Sequence, residues 1–273
     1  MNTNSILTLF LIGIVSSSVT RLRAESESVE SPANPIPSHL AYAFKAMQEG
    51  KFRDAIGEAT LALSTNPTNG EALNIRGVAY THTRDFTNAI ADFNAALRLQ
   101  PTNGYLYLSL AGAHSAQESF GAAISNYTKG LSLVSDNVSA RVSRGNAYAR
   151  TGQFALAASD YSKAWSADPN HLDLLNNYAW FLATCPDKAL RDGKRAVTMA
   201  TKACELLQWK NYVALDSLAA AQAEVGLFEQ AIQSQRQALS MVNESDLREI
   251  AEMKERLALY EARKAFRVNE GGR

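Results

Sequence analysis

Small, aromatic and proline residues recur along this chain in register every 34 positions. One segment carries Gly77, Tyr80, Phe86, Ala89, Phe93, Ala96 and Pro101, and the same offsets two periods later give Gly145, Tyr148, Phe154, Ala157, Tyr161, Ala164 and Pro169. Between these positions the apolar residues step by three and four, which is the spacing of an α-helix. A period of this length with two helical stretches predicts stacked helix-turn-helix repeats, each packed against its neighbours.

The small residues of this pattern are predicted to lie where two helices cross. Short antiparallel helices pack closely only where one backbone can approach the other, and Gly77 and Ala89 provide such places. Phe86 and Phe93 then fill the space around the crossing, where aromatic side chains bury large areas. Pro101 follows the second helix, because proline stops helical propagation.

These residues resemble the tetratricopeptide repeat, whose consensus has Gly, Tyr, Ala, aromatic and Pro residues at these offsets. The resemblance implies an all-α fold, a right-handed α-solenoid of six helix-turn-helix units with a C-terminal capping helix. The units fall at residues 36–69, 70–103, 104–137, 138–171, 172–211 and 212–245, and the cap at 246–265.

Two units depart from the consensus. The third has Gly130 where Ala is expected and Ser135 where Pro is expected. The fifth has a longer connection at residues 185–194 and resembles a variant unit of bacterial proteins in this superfamily. Ser245 is predicted as the N-cap of the terminal helix.

The ends of the chain are predicted to lie outside the repeats. Residues 6–15 form an apolar run of signal-peptide length, too short to span a bilayer, which needs about 20 apolar residues. We expect residues 1–24 to act as a signal peptide for export to the periplasm or the medium, with an uncleaved anchor or an incorrectly assigned start as alternatives, because no Lys or Arg precedes the run. Residues 25–37 are acidic and rich in Ser and Pro and read as a flexible linker, and residues 266–273 as a frayed tail.

The charge balance argues against two classes of partner. With 27 basic and 27 acidic side chains the formal net charge is zero, whereas nucleic-acid binding normally needs a concentrated basic surface. A polybasic membrane-surface helix is disfavoured for the same reason. We expect no nucleic-acid partner and no membrane-spanning domain in the mature chain.

The resemblance also implies where a partner binds. In such proteins the first helices of successive repeats line a concave groove that holds an extended peptide or a partner helix. Asparagine amides suit pairing with a peptide backbone, and aromatic side chains can serve as anchors. The candidate groove residues are Asn74, Val78, Tyr105, Asn146, Arg150, Asn176, Asn177 and Trp180.

A structural explanation of these residues stays open. The asparagines can also bond within or between helices, and Trp180 can belong to the core. The paired Lys and Asn residues with which some family members clamp a C-terminal carboxylate are absent, because the corresponding positions hold Leu40, Phe44, Tyr105 and Ser109. A receptor for chaperone tails is therefore not expected.

No catalytic, cofactor or metal site is predicted. The four histidines lie in different units without ligand spacing, and no phosphate-binding loop or nucleophile motif is present. Cys185 and Cys204 are expected to be a free, buried pair, with a disulfide across the long connection as the alternative.

The sequence therefore predicts a non-enzymatic scaffold that binds a protein or peptide partner in the groove. The alternatives are a structural subunit that self-assembles into a larger complex and, further off, an enzyme accessory.

Overall fold

The computed structural model describes residues 38–269, which form thirteen α-helices and one 3-10 helix and contain no strand. In chain order the α-helices are α1 (His39–Gln48), α2 (Phe52–Thr65), α3 (Gly70–His82), α4 (Phe86–Leu99), α5 (Gly104–Ala116), α6 (Phe120–Leu133), α7 (Val138–Arg150), α8 (Phe154–Ala167), α9 (Leu172–Thr184), α10 (Gly193–Leu206), α11 (Tyr212–Glu224), α12 (Phe228–Leu239) and α13 (Leu247–Glu261). The 3-10 helix, Lys188–Leu190, lies between α9 and α10. None of the helices in this range is long and apolar enough to cross a membrane.

The predicted signal peptide at 1–24, the predicted linker at 25–37 and the last four residues of the predicted tail lie outside the described residues. Export therefore stays a prediction from the sequence.

The helices pair into six helix-turn-helix repeats followed by a terminal helix, which is the arrangement of an α-solenoid. The chain divides into two compact units, whose described parts are residues 38–140 and 141–269. The first unit contains α1 to α6, and the second begins within α7 and runs to the end of the described chain.

Turns of one form join the two helices of most repeats. A residue with positive φ stands at Gly50, Arg84, Glu118 and Gly152, again 34 positions apart. In each turn the following amide reaches back to close the helix end; Asp85 N, for example, donates to the Tyr80 carbonyl at 2.8 Å. Glycine takes this left-handed conformation without steric cost. Arg84 and Glu118 adopt it as well, so the repeat geometry overrides local preference there.

The core of the first unit lies between α3, α4 and α5. Leu73, Phe93 and Leu106 are buried there together with Val78. Gly77 lies against the Phe93 ring, and a Cβ at Gly77 would come within 2.8 Å of Phe93 Cε1. The glycine is therefore required by the close helix crossing that the sequence pattern predicts.

An arginine–aspartate pair joins the two helices in repeats two and four. Arg76 donates from Nε and Nη2 to the two carboxylate oxygens of Asp92, both at 2.8 Å. Arg144 binds Asp160 in the same bidentate way, at 2.7 and 2.8 Å. Both aspartates are buried, so each pair fixes the position of one helix against the other.

The long connection of the fifth repeat is held by one arginine. Arg191 donates to the carbonyl oxygens of Cys185 and Pro186 at 2.8 and 3.0 Å. Its Nε also lies 3.0 Å from a carboxylate oxygen of Glu224, near the end of α11. The connection is thus an ordered part of the second unit.

Two details at the C-terminus differ from the sequence prediction. The N-cap of α13 is Asp246, whose side chain accepts from Glu249 N, so the prediction of Ser245 was wrong by one residue. Residues 264–269 have no helix, yet Phe266, Arg267 and Val268 contact the repeats instead of fraying from residue 266 onward. The physical reason is that the end of α9 offers partners to this segment.

Candidate functional site

The eight residues that the sequence proposes for binding lie on first helices of repeats, on α3 and α5 in one compact unit and on α7 and α9 in the other. We call the faces of α3 and α5 that carry Asn74 and Tyr105 the first-helix surface. In residues 38–140, α3 contacts both α1 and α5, so the first helices of successive repeats lie side by side.

Asn74 and Tyr105 share a cleft in the first unit. The cleft has a volume of about 730 Å³ and lies between the start of α3, the end of α4, the start of α5 and the end of α6. Asn74 and Glu71 line it from α3, Tyr105 from α5, and Leu99 and Leu133 from the second helices. Both leucines are substantially exposed, so the cleft combines apolar walls with amide and carboxylate groups.

The caps of the two helix starts shape this cleft. Asn69 accepts from the backbone amides of Glu71 and Ala72, and Asn103 accepts from that of Tyr105. Because these side chains satisfy amides of the first helical turns, the cleft presents side-chain groups instead of bare helix ends. Asn74 Oδ1 itself is buried and has no hydrogen-bond partner within the described chain.

Val78, the third candidate of this unit, lies elsewhere. Its side chain is buried in the core between α3, α4 and α5, with an exposed fraction of 8%.

In the second unit, Asn146 makes a contact within its own repeat. The hydroxyl of Tyr161 on α8 donates to Asn146 Oδ1 on α7. Burial raises the pKa of Tyr161, so the phenol remains a neutral donor. Arg150, one turn further along α7, is half-buried near the helix end.

The two neighbouring asparagines of α9 differ in their surroundings. Asn177 is buried and donates from Nδ2 to the Asp173 carbonyl at 2.7 Å, one turn back in the same helix. Asn176 is partly buried, and its Oδ1 has no hydrogen-bond partner among residues 38–269. It stands at the same repeat position as Asn74, whose amide oxygen likewise has no such partner.

Trp180 on α9 is covered by the end of the chain. Its ring centroid lies 5.8 Å from that of Phe266, and the Arg256 guanidinium of α13 lies 5.4 Å from its ring centroid. The exposed fraction of Trp180 is 8%.

A buried polar cluster next to Trp180 was not foreseen from the sequence. Asp216 Oδ1 accepts from Arg256 Nε at 3.0 Å and from Gln235 Nε2 at 2.7 Å, which joins α11, α12 and α13. Glu249 lies 3.8 Å from Arg256, and all four side chains are buried. The only signal in the sequence is a charged residue at Asp216, a position that repeats one, three and four fill with Leu40, Leu108 and Val142.

The cysteines are not arranged for nucleophilic chemistry. Both are buried and free, and burial raises the pKa of Cys204 to about 12 and that of Cys185 above its usual range. Since the thiolate is the reactive form, burial disfavours the reactive form of both thiols. Within residues 38–269, no three His, Cys, Asp or Glu side chains are grouped so as to hold a metal ion.

Comparison with known families identifies the repeats. The sequence profile described as "Tetratricopeptide repeat" matches residues 45–104 and 102–171. No curated protein sequence matches the chain significantly.

Solved structures agree with the fold. The chain is similar to the APC/C hetero-tetramer Cut9-Hcn1 (TM-score 0.68, 17% identity, covering 85% of this chain and 43% of that one). It is also similar to PilW, a widely conserved type IV pilus biogenesis factor (TM-score 0.66, 18% identity, covering 81% and 100%). YrrB, a repeat protein with an unusual peptide-binding site, aligns with a TM-score of 0.50 at 22% identity over 72% of this chain and 95% of that one. At such identities the likeness concerns the fold alone.

Proposed function

The chain is a tetratricopeptide-repeat protein, and we propose that it is a non-enzymatic scaffold whose first-helix surface binds a peptide or a helix of a partner protein. Repeats of this family typically form interaction folds without catalytic activity, and the similar YrrB is described as having a peptide-binding site. The similar Cut9-Hcn1 structure is described as a hetero-tetramer, which is another use of such repeats in assembly.

The observation that carries the proposal is the cleft of the first unit. It brings together Asn74 and Tyr105, two candidate residues that come from successive repeats. An amide can both donate to and accept from a peptide backbone, and an aromatic ring provides an apolar anchor. Leu99 and Leu133 add apolar area at the same place.

Preorganisation supports the same function. The helices around the cleft are fixed by the buried core and by the Arg76–Asp92 pair. A partner that binds such a surface does not have to order it first, so less of the interaction free energy is lost on association.

Affinity capture tests the proposal. Residues 25–273 would be used as bait, as the parent sequence, as the double variant Asn74→Ala/Tyr105→Ala and as the control Asn94→Ala, which changes an exposed asparagine on α4. We expect a partner that the parent and the control retain and that the double variant loses, at equal helical content by circular dichroism.

Equal capture by all three proteins would contradict the role of this cleft. Capture of further copies of the chain alone would favour the alternative of a self-assembling structural subunit.

A further inference from the structure

The segment after α13 lies on the repeats like a bound peptide. Residues 264–269 form no helix or turn of their own, yet three consecutive residues make specific contacts with α9 and α11. Phe266 packs against Trp180, Arg267 donates to the Ala183 carbonyl at 3.3 Å, and Val268 N donates to the Thr184 carbonyl at 3.1 Å. The segment therefore shows which chemistry this part of the surface accepts.

The aromatic part of the site consists of Trp180 and Arg256. The Arg256 guanidinium lies 5.4 Å from the Trp180 ring centroid and 5.8 Å from that of Phe266, so it contacts both rings. Its bond to Asp216 holds it in place. An aromatic ring bound here contacts the Trp180 indole and the fixed Arg256 guanidinium. Both contacts favour an aromatic over an aliphatic side chain.

The charged part of the site consists of Glu224 and the end of α9. The Glu224 carboxylate pairs with Arg267, and its other oxygen is held by Arg191. The last carbonyls of a helix lack partners within the helix, and here the tail supplies donors to those of Ala183 and Thr184. An arginine followed by the backbone amide of the next residue satisfies all three acceptors.

We propose that Trp180, Ala183, Thr184, Glu224 and Arg256 form a docking site for a non-helical aromatic–arginine–aliphatic segment of a partner protein. The chain's own Phe266, Arg267 and Val268 fill this site until such a segment displaces them. The inference extends the proposed scaffold function but uses neither Asn74 nor Tyr105, so the failure of either proposal is distinguishable from the failure of the other.

Displacement is physically reasonable for two reasons. The contacts belong to three residues outside any helix, and such segments open locally at lower free energy than helices in the core. The tethered tail has an effective concentration on the order of millimolar, so a free segment of equal chemistry binds the intact chain weakly. A partner needs better contacts or a second attachment point to replace it.

A labelled peptide with the sequence of residues 262–269 tests the site by fluorescence anisotropy. It would be titrated into the full chain and into the full-length variant Phe266→Ala/Arg267→Gln, whose own tail is weakened. We expect saturable binding to the variant with a Kd at least ten-fold lower than for the unmodified chain. Adding Trp180→Ala to the variant should abolish binding, whereas adding Trp209→Ala, an exposed tryptophan in the turn before α11, should not change it.

Three results would overturn the inference. They are no saturable binding by the weakened variant, equal affinity for the variant and the unmodified chain, and binding that survives Trp180→Ala. A peptide with the Phe and Arg replaced by Ala and Gln must also fail to bind. If the double variant loses helical signal, Arg267→Gln alone keeps the Phe266 contact and should still bind the peptide at least three-fold more tightly than the unmodified chain; equal affinity there would contradict the site.

Discussion

Gly130 shows how one residue departs from the repeat consensus for a packing reason. Repeats two and four have Ala96 and Ala164 at this position. In repeat three the buried Leu108 of α5 fills the space beside it, and a Cβ on Gly130 would lie 2.9 Å from Leu108 Cγ and 3.1 Å from the Gly104 carbonyl oxygen. The larger residue on one helix thus explains the smaller residue on the other.

Gly130→Ala should therefore destabilise the protein, although alanine is the better helix former. Overpacking costs about 1–3 kcal/mol, which exceeds the gain of about 1 kcal/mol from helix propensity. Urea unfolding followed by circular dichroism gives the change in the free energy of unfolding.

The matched control is Gly121→Ala in the same helix, where a Cβ meets nothing within 4 Å. It should stabilise by up to about 1 kcal/mol. Leu108→Val introduces the residue that repeat four has at this position, Val142. It should reduce the loss of stability that Gly130→Ala causes. If Gly130→Ala is as stabilising as Gly121→Ala, the packing explanation is wrong.

His82 makes the first unit sensitive to acid. Its ring stacks on Phe52 at a centroid distance of 4.0 Å, and burial lowers the pKa of His82 from 6.5 to about 4. The folded-state pKa lies below that of the unfolded chain, so the unfolded chain binds the proton first. The stability that neutral His82 contributes is full above pH 6.5 and is lost as the pH falls towards 4.

We expect the urea concentration at the midpoint of unfolding to decrease when the pH is lowered from about 7 to about 5. The midpoint of the His82→Gln variant should decrease less over the same interval. The decline should be reduced and not removed, because burial also lowers the pKa of His114. Identical pH dependence of the two proteins would exclude His82 as the cause.

At the scale of helix pairs, the two helices of a repeat are joined in two different ways at the same pair of positions. Repeats two and four join their helices by Arg76–Asp92 and Arg144–Asp160, whereas repeat three has Leu110 and Asn126 at the same positions. Leu110 is buried, so an apolar contact replaces the ion pair there. The chain itself therefore provides the substitution that tests the pair.

Asp160→Asn alone should cost about 3–5 kcal/mol of unfolding free energy, because it removes the carboxylate charge of a largely buried bidentate ion pair. Arg144→Leu/Asp160→Asn, which copies repeat three, should cost less than the single change, since no uncompensated charge remains. Urea unfolding of both variants and of Arg144→Leu completes the cycle. A double variant less stable than Asp160→Asn would contradict this explanation.

The helices were the most predictable elements. Gly, Ala, aromatic and Pro residues at fixed offsets report close helix crossings directly, so the all-helical repeat fold follows from them. The ion pairs were missed although the same 16-residue spacing of Arg and Asp occurs twice. Contacts of the tail with α9 could not be predicted, because they join residues about 84 positions apart through side chains without periodicity.

For the whole molecule, five of the eight candidate residues fall into two groups. Asn146, Asn177 and Trp180 make contacts within the second unit, with Tyr161, the Asp173 carbonyl and Phe266. Asn74 and Tyr105 line an open cleft of the first unit. The residues of both groups were predicted from their positions in the repeat. Whether such a residue is engaged or lines a cleft depends on the side chains around it, and these belong largely to other parts of the chain.

The proposed binding through the first-helix surface is tested most directly by site-specific photo-crosslinking in cells. A photoreactive amino acid would replace Asn74 in the cleft or Asn94 on the exposed face of α4, one position per protein. Each protein must retain the helical content of the parent. We predict a crosslinked partner from position 74 and none from position 94. A partner crosslinked from position 94 and absent from position 74 would contradict the proposed function of this surface.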